Sequence, residues 1–378
     1  MESRNPKVSV YLKTGRKGAT PYYRFYQYFD RMEGTFKYRK MLSDDMYDKV
    51  MPVSRKNLFY KTLIYIYILT RRSYQLMSDQ IWHPQYIIIS RCLINKYVPL
   101  CMKFLLWIIR KRGTTVIWDF DDDIIAGGEI GRKVFDWQGN ISSVIVVGSP
   151  YLKSLIKEQS QPRIIYLPTT DGGLASLSFP LIEKNRIQLL RDDVRLIWVG
   201  TFSGLGFLEQ IWDDLEDCAT HLDYRRLVLT IVSDSIVEYL PRNFILRQIP
   251  WNRDRAIREM EVSHIGIMPL KDNTATRGKC GFKLIQYLAA ALPVIGSNVG
   301  MNKLIISEDV GFSINPQEKD EWGKAILAIT KTETVWQDYS RAALERWKRS
   351  YNSETNLDVW KRILNVSGHF RPYCVPYI

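Results

Sequence analysis

The sequence predicts an α/β protein with two Rossmann-like domains, each built on a doubly wound parallel sheet. Its 378 residues exceed what one hydrophobic core usually serves, because cores tend to split beyond roughly 250–300 residues. Short β-branched runs alternate with helix-length amphipathic segments, which is typical of βαβ units and parallel sheets. This alternation occurs once in each half of the chain, so we expect two domains of the same kind.

The predicted strands are near-continuous apolar runs, as expected for strands that helices cover on both faces. In the first half they lie at 8–12, 86–89, 115–118, 144–147 and 164–167, and in the second half at 196–199, 227–232, 265–268 and 294–295. Helices are predicted near the end of the chain, at 321–329, 334–351 and 356–364.

A break between the two halves marks the domain boundary. The sequence PTTDGG at 168–173 interrupts regular structure, and a polar stretch without clear periodicity follows to residue 191. We therefore predict an N-terminal domain at 1–180, a linker, and a C-terminal domain at 190–352. The last segment, 355–378, is expected to pack back onto the first domain.

The composition indicates a folded, basic protein of a reducing compartment. Hydrophobic residues make up 46% of the chain and charged residues 25%, with a net charge of +13. Such a surface favours polyanionic partners, namely nucleic acid, anionic lipid or phosphorylated small molecules. The five cysteines have neither a disulfide spacing nor a CxxC metal spacing, and the N-terminus has no secretory h-region. A cytoplasmic location is expected.

Two apolar stretches bear on membranes. They lie at 63–69 and at 104–109, and the second is followed by Arg110, Lys111 and Arg112. Both are shorter than the ~20 residues that cross a bilayer. One interpretation is a pair of buried or half-buried helices. The other is a peripheral contact with anionic headgroups at the inner face of the cell membrane, since aromatic and aliphatic side chains beside cations suit that boundary.

The segment 277–295 contains the pattern of an anion site. Arg277, Lys279 and Lys283 alternate with glycines ahead of a predicted helix, so backbone N–H groups, the helix dipole and point cations converge. Lys283 in the first turn can reach a phosphate, and Gln286 one turn later can hydrogen-bond a ribose hydroxyl. The alternative is a solvated basic loop ahead of an ordinary core helix.

The second half resembles the donor-binding region of family 4 glycosyltransferases, which are retaining enzymes with the GT-B fold. The resemblance is carried by IMPL (267–270), GFKLIQYLA (281–289), PVI (293–295), SNVG (297–300) and LIWVGTFS (196–203). In the first half, IIYLPT (164–169) is similar to the strand that ends the family's acceptor domain. The resemblance implies two domains facing a cleft, a UDP- or GDP-sugar donor, and no metal or cofactor.

The same resemblance assigns donor-binding residues. It implies that the diphosphate lies between Lys279 or Lys283 and the loop after Gly200, with the ribose near Gln286. Further donor contacts are implied for the remaining members of the motifs, namely Thr201, Ser203, Arg277, Gly281, Phe282, Val299 and Gly300.

Three positions depart from the family pattern. Gln286 stands where the family usually has an acid that binds the ribose, so that contact would be neutral. Ala291 replaces a common glycine, and Thr201 replaces a cation that often follows the first glycine of the donor domain. The diphosphate charge is then left to Arg277, Lys279 and Lys283.

A cluster of acids follows the predicted strand at 115–118. Asp119, Asp121 and Asp122 stand at its carboxyl end, where open α/β sheets place their ligands. They are the candidate catalytic residues, able to orient an acceptor hydroxyl, act as a base or stabilise positive charge at the anomeric carbon. A subgroup related to the family has a similar Asp-Phe-Asp-Asp run.

Two other interpretations of these acids stay open. Asp119-Phe120-Asp121 is also a DxD, the manganese-binding signature of the other large glycosyltransferase fold. Alternatively, the acids only face the dipole at a helix N-terminus.

A glycine- and cation-rich loop follows the first predicted strand. It contains Gly15, Lys17 and Gly18, and Arg24 follows in the first helix. In GT-B enzymes the equivalent loop borders the cleft, so these residues are candidates for contact with the acceptor or the donor phosphates. The loop lacks the spacing of a P-loop or a GxGxxG motif, and a plain turn is the alternative.

These observations favour a retaining hexosyltransferase of cell-surface polysaccharide or lipopolysaccharide synthesis. Its expected partners are a nucleotide-sugar donor, a glycan or lipid-linked acceptor and an anionic membrane surface. Two rivals stay open: a catalytically inactive GT-B-like binding subunit, suggested by Gln286 and Thr201, and a basic nucleic-acid-binding protein. The cations are spread along the chain rather than grouped in a recognisable module, which argues against nucleic acid.

Overall fold

The structure is a computed structural model that describes residues 5–50, 57–157, 164–318 and 320–365. The chain divides into two compact units, an N-terminal unit of Met1–Thr169 with Glu354–Ile378 and a C-terminal unit of Thr170–Ser353. Each unit contains a six-stranded sheet, and the strands of both sheets pair in parallel. The predicted class, an α/β protein with two Rossmann-like parallel-sheet domains, is confirmed.

The sheet of the N-terminal unit has the strand order β2-β1-β3-β4-β5-β6. Its strands are β1 (Lys7–Leu12), β2 (Thr35–Lys40), β3 (Tyr86–Ser90), β4 (Thr115–Phe120), β5 (Val144–Val147) and β6 (Ile164–Tyr166). Its helices are α1 (Ala19–Pro21), α2 (Gln27–Phe29), α3 (Asp44–Val50), α4 (Leu58–Trp82), α5 (Leu100–Lys111), α6 (Arg132–Ile141) and α7 (Pro150–Ser154), with a π-helix at Tyr22–Tyr26 between α1 and α2.

The sheet of the C-terminal unit has the order β12-β11-β10-β7-β8-β9. Its strands are β7 (Asp193–Gly200), β8 (Arg226–Ser233), β9 (Ile245–Pro250), β10 (Ile265–Met268), β11 (Val294–Ser297) and β12 (Gly311–Ile314). Its helices are α8 (Phe179–Leu190), α9 (Phe202–Leu205), α10 (Trp212–Thr220), α11 (Arg253–Glu261), α12 (Thr274–Arg277), α13 (Phe282–Ala289), α14 (Asn302–Ile305), α15 (Glu321–Ile329) and α16 (Glu333–Ser350), with short 3-10 turns at Gly172–Ser176 and Leu208–Ile211.

Both faces of the N-terminal sheet are covered, which explains the continuous apolar strands. Alternate residues of β3 enter different cores: Ile87 and Ile89 face one cluster, and Ile88 faces the other. The last helix, α17 (Ser353–Asn365), contributes to the second cluster. The ring of its Trp360 lies 5.7 Å from that of Phe25 and 5.2 Å from that of Phe29. Residues 366–378 of the predicted C-terminal segment lie outside the described residues.

Three strands were missed by the sequence prediction, and all three lie at sheet edges. They are β2, β9 and β12. β2 and β9 contain half-buried or exposed positions throughout, and β12 has two buried end residues and two more exposed middle residues. An edge strand is covered less completely than an interior strand, so it lacks the continuous apolar run on which the prediction depended.

The stretch before residue 191 was predicted as an unpatterned linker, and this is wrong in part. Residues 179–190 form helix α8, with Arg186 and Leu190 buried. Arg186 donates to four backbone carbonyls, including those of Met260 and Ala290 at 2.7 and 2.9 Å. A buried arginine made the inner face of this helix look polar, which concealed its periodicity.

Candidate functional site

The strand order of the C-terminal unit creates a topological switch point between β7 and β10. The chain proceeds outward from β7 through β8 and β9 on one side, and through β10, β11 and β12 on the other. Loops leaving the carboxyl ends of β7 and β10 therefore diverge, and open α/β sheets bind ligands in the crevice this leaves. Gly200 ends β7 and Met268 ends β10.

A small pocket lies at this point. Three segments form its wall: Trp198, Thr201, Ser203, Gly204 and Phe207 around the end of β7, Met268, Pro269 and Leu270 at the end of β10, and Lys279 with Lys283. The structure thus brings four predicted donor-binding residues, Thr201, Ser203, Lys279 and Lys283, to one place.

Because Gly200 has no side chain, the Trp198 ring and the stem of Lys283 can both pack against its backbone. The ammonium of Lys283 lies 5.4 Å from the centre of the buried Trp198 ring. A Cβ atom on Gly200 would stand 2.4 Å from that ring and 2.8 Å from Cε of Lys283. Any larger residue would displace the indole or the lysine, so the glycine fixes where the cation sits.

The predicted anion loop is held by close backbone contacts. Gly281 has φ of 70°, a conformation that glycine adopts at little cost, and precedes helix α13. Phe282 is the first residue of that helix, so Lys283 lies in its first turn, as predicted. A Cβ atom on Gly300, whose φ is 54°, would stand 2.6 Å from the carbonyl oxygen of Arg277.

Arg277 and Val299 are not among the residues that line the pocket. The guanidinium of Arg277 pairs with Asp272, with Nε 2.6 Å from Oδ1. Val299 is buried. Their assigned role in donor binding stays a prediction, and for Arg277 it requires competition with the Asp272 carboxylate.

Gln286, the predicted ribose-binding residue, is engaged by an acid that the sequence analysis did not select. Its Nε2 donates to Oδ2 of Asp171 at 2.9 Å, and both side chains are buried. The other oxygen of Asp171 accepts from the backbone N–H of Gly173 at 3.0 Å. The PTTDGG segment is therefore fixed to helix α13 by a buried carboxylate.

In the N-terminal unit, Asp119 is neutralised by Arg24. Nε of Arg24 donates to Oδ1 of Asp119 at 3.2 Å and its Nη2 contacts Oδ2, and both side chains are buried. Arg24 also contacts the Leu167 carbonyl and lies 3.4 Å from Oγ1 of Thr169. It projects from the π-helix Tyr22–Tyr26, a distortion that is frequent at functional sites. Arg24 therefore belongs to the acidic cluster rather than acting apart from it.

Arg91 is the central cation of this cluster, and the sequence analysis missed it. Its Nη1 donates to Oδ1 of Asp121 and Oδ2 of Asp122, both at 2.9 Å, and its Nη2 to Oε1 of Glu129 at 2.6 Å. Arg91 directly follows β3 with φ of 60°. Its position immediately after a buried strand was the available signal.

The cluster shifts the titration of its members. Burial, helped by the neighbouring Asp122 carboxylate, raises the pKa of Asp121 to about 6, although Arg91 and Arg24 oppose the shift. Burial lowers the pKa of Arg24, but the Asp119 carboxylate outweighs it and the net pKa is raised. Asp122 is the accessible member, with its side chain 42% exposed. Asp121 can thus exchange a proton near neutral pH, while Asp119 is fixed in an orienting position.

The DxD interpretation meets an obstacle in these pairings. To bridge a cation, the Asp119 and Asp121 carboxylates would have to turn away from Arg24 and Arg91. Within the described ranges, no three His, Cys, Asp or Glu side chains are grouped to hold a metal ion. The present arrangement suits two arginines rather than a metal.

The loop after β1 forms a turn. The N–H of Gly18 donates to the carbonyl of Gly15 at 3.1 Å, and Lys17 is exposed. The three residues therefore share one turn at the carboxyl end of β1, and their predicted contact with acceptor or phosphate stays a prediction.

Solved structures resemble nearly the whole chain in fold. A glycosyltransferase from Rickettsia africae is 13% identical with a TM-score of 0.62, over 96% of this chain and 98% of that one. Sucrose-phosphate synthase from Thermosynechococcus elongatus is 11% identical with a TM-score of 0.61, over 95% and 98%. Anabaena HepE, solved in complex with UDP-glucose, is 12% identical with a TM-score of 0.57, over 95% and 99%. The two-domain fold is GT-B. A search of curated protein sequences found no match to the chain.

Residues 180–332 match the family described as glycosyl transferases group 1. This segment is therefore similar to group 1 glycosyl transferases, and the match covers less than half of the chain. The switch-point pocket lies entirely within it, since its lining residues run from Trp198 to Lys283. The family match and the fold together support glycosyl transfer.

Asp171 lies outside the matched glycosyl transferase domain, nine positions before it begins. Only the fold brings it to Gln286, 115 residues further along the chain. An acid in a turn-rich PTTDGG segment was visible in the sequence, but nothing local there distinguished it from an ordinary turn residue.

Proposed function

We propose that this protein is a retaining hexosyltransferase that uses a UDP- or GDP-sugar as donor. The carrying observation is the switch-point pocket, where Lys279 and Lys283 meet the loop after Gly200. A nucleotide diphosphate is a leaving group on which negative charge develops as the glycosidic bond breaks. Fixed cations at that position stabilise the transition state more than the ground state.

The position of Lys283 suits a diphosphate. The Trp198 ring and Gly200 confine its stem, so little rotamer freedom is lost when an anion binds. The positive end of the α13 dipole adds to its charge, since Lys283 is in the first turn. We propose that Lys279 and Thr201 supply further contacts, and that no metal is required because the lysines take the role of a cation.

On the acceptor side, we propose that the acidic cluster of the N-terminal unit handles the hydroxyl group. Asp121, with a pKa of about 6, accepts or returns a proton, and the more exposed Asp122 contacts the acceptor. Arg24 and Asp119 act as positioning residues, since they are buried and hold each other. Gly15, Lys17 and Gly18 provide the remaining contacts.

The acceptor and setting complete the proposal. We propose a glycan or lipid-linked acceptor in cell-surface polysaccharide or lipopolysaccharide synthesis, with the enzyme in the cytoplasm at the inner membrane face. The basic surface supports this setting, because a net charge of +13 attracts a protein to anionic lipid. Nucleic acid is not an expected partner.

A thermal-shift experiment tests the donor site. The protein is heated with UDP, GDP, ADP or CDP, each with and without manganese, beside Lys283→Ala and the matched control Lys324→Ala, whose lysine is exposed and paired with Glu321. We expect one nucleotide to raise the unfolding temperature without manganese, with the effect lost in Lys283→Ala and kept in Lys324→Ala.

Other outcomes point elsewhere. Stabilisation only with manganese would move donor binding to Asp119 and Asp121. Nucleotide binding without hydrolysis or transfer across a panel of nucleotide sugars would favour the inactive binding subunit, for which the engagement of Gln286 by Asp171 is the supporting observation. Proton NMR of the first-formed product, read at the anomeric position, tests retention.

A further inference from the structure

Helix α4 buries polar side chains beside apolar ones such as Ile64 and Leu76. Its buried face includes Arg72, Gln75 and Asp79. Arg72 donates to the carbonyls of Leu93 and Leu12 at 2.9 and 2.8 Å, and Asp79 accepts from the hydroxyl of Tyr11 at 2.7 Å. Directed polar contacts, rather than apolar packing alone, therefore hold the helix on the sheet.

The solvent-facing side of α4 is apolar. An exposed stripe of apolar residues lies on one face of the helix: Phe59, Leu63, Ile66, Tyr74, Met77 and Ile81. Its members are three or four residues apart, except between Ile66 and Tyr74, where the polar Thr70 interrupts the stripe. Ile81 is 89% exposed and Tyr74 67%. A surface helix of a soluble domain normally has charged and polar residues on its outer face. Exposed apolar residues concentrated on one helix face indicate a surface that something else covers.

Helix α5 also exposes apolar residues. The two helices pack together, and Nε2 of Gln80 donates to the carbonyl of Leu105 at 2.8 Å. α5 exposes Leu100, Phe104 and Trp107, with the last two rings stacked at 5.8 Å. The ammonium of Lys111 lies 5.7 Å from the Trp107 ring. An aromatic pair beside a cation is the composition of a membrane–water boundary.

The charge on the two helices decides between possible occupants. Their one acidic residue, Asp79, is buried, whereas their cations include Lys61, Arg71, Lys103, Arg110 and Lys111. Two copies of this chain pairing through the surface would bring like charges together. An anionic, apolar and extended partner suits both the stripe and the cations.

We infer that the exposed faces of α4 and α5 bind the surface of an anionic phospholipid bilayer. α4 has 25 residues, about 37 Å at the usual helical rise, and lies along the interface with its stripe among the acyl chains and the cations among the headgroups. None of the helices in the described ranges is long and apolar enough to cross a bilayer. The inference depends on this surface alone and holds whether or not sugar transfer is confirmed.

Vesicle co-sedimentation tests it. The full chain is mixed with phosphatidylcholine vesicles that contain one-third phosphatidylglycerol, or none, at low and high salt. The stripe variant combines Ile66→Gln, Tyr74→Gln and Met77→Gln. The matched control combines Tyr224→Gln, Ile236→Gln and Leu240→Gln, three apolar residues of the C-terminal unit that are more exposed than the three stripe residues replaced. Circular dichroism and thermal unfolding check that all variants fold.

We expect the parent and the control to bind the anionic vesicles, and the stripe variant to lose on the order of tenfold in partitioning. A second variant, Arg110→Gln with Lys111→Gln, should bind more weakly at low salt and lose part of its salt dependence. Failure of the parent to bind at low salt, or equal binding by the stripe variant, would overturn the inference. A vesicle-inactive parent that light scattering shows to be a dimer, and that the stripe variant converts to a monomer, would assign the surface to a second copy.

Discussion

The side-chain amide of Gln286 donates a 2.9 Å hydrogen bond to the carboxylate of Asp171. Asp171 is 1% exposed and Gln286 6%, so the acid is satisfied by a neutral partner away from bulk water. An amide suits this carboxylate at position 286, because a second carboxylate there would place two acids face to face with no donor between them.

Gln286→Glu should therefore destabilise the C-terminal unit by about 1–3 kcal/mol at pH 8. Each acid raises the pKa of the other in the folded state, so the variant regains stability as the pH falls and one carboxyl takes a proton. Urea unfolding at pH 5.5 and pH 8 measures this. Combining Gln286→Glu with Asp171→Asn restores a carboxylate–amide pair and should recover most of the loss. Equal stability of parent and Gln286→Glu at pH 8 would contradict the pairing.

Gly200→Ala should weaken nucleotide binding, because its Cβ would stand 2.4 Å from the Trp198 ring and 2.8 Å from Cε of Lys283. Relief of the clash moves the ring or the lysine, at a cost of about 1–3 kcal/mol in stability. Isothermal titration with the nucleotide found in the thermal-shift screen measures the effect. Gly206→Ala is the matched control, since no atom lies within 4 Å of a Cβ built there. Unchanged affinity in Gly200→Ala would contradict the prediction that Gly200 fixes Lys283 for nucleotide binding.

Asp121 should make stability depend on pH. Its folded pKa of about 6 exceeds the ordinary aspartate value, so its contribution to stability is present below about pH 4 and is lost as the pH rises through 6. We expect the free energy of unfolding of the parent to fall by about 2–3 kcal/mol between pH 4 and pH 7 because of this group, and this fall to be absent in Asp121→Asn. Asp122→Asn should instead shift the window to lower pH, because the Asp122 charge raises the pKa of Asp121. Guanidinium unfolding across this range measures both, and identical profiles for parent and Asp121→Asn would contradict the shift.

His264 should make the C-terminal unit sensitive to acid. Its Nδ1 accepts from the Arg195 N–H and its Nε2 donates to the Arg186 carbonyl, both at 2.9 Å, and burial lowers its pKa to about 3. The unfolded state then takes up a proton below about pH 6.5 that the folded state refuses, so stability falls as the pH drops from 6.5 toward 3.

Between pH 6 and pH 4 this loss should be about 2–3 kcal/mol, and His264→Gln should flatten it. The control is His221→Gln, because the side chain of His221 is 59% exposed. A parent and a His264→Gln variant with the same slope of unfolding free energy against pH would show that another group controls acid unfolding.

Much of the fold could be predicted because buried segments have a local pattern of apolar residues in the sequence. Strands covered on both faces are apolar throughout, so the interior strands β3, β4, β7 and β8 were visible, whereas the edge strands β2, β9 and β12 were not. The same pattern misled where a buried residue was polar. Arg186 made α8 look like a linker.

The candidate site divides in the same way. Lys279, Lys283 and the loop after Gly200 could be selected because glycines and cations at strand ends are local features with a local chemical meaning. Their meeting in one pocket follows from parallel strands, whose carboxyl ends share an edge of the sheet.

By itself, then, the sequence determined the α/β class, the two parallel sheets and the chemical character of the loops that follow their strands. Only the tertiary structure decided which charges neutralise each other: Arg24 with Asp119, 95 residues apart, and Asp171 with Gln286, 115 apart. It also decided that the apolar stripe of α4 faces outward. Hydrophobic periodicity reports that a segment is buried but not which segment it packs against. Partners far apart in the sequence meet only when folding closes the long loops between them, at a cost in chain entropy that no local pattern records.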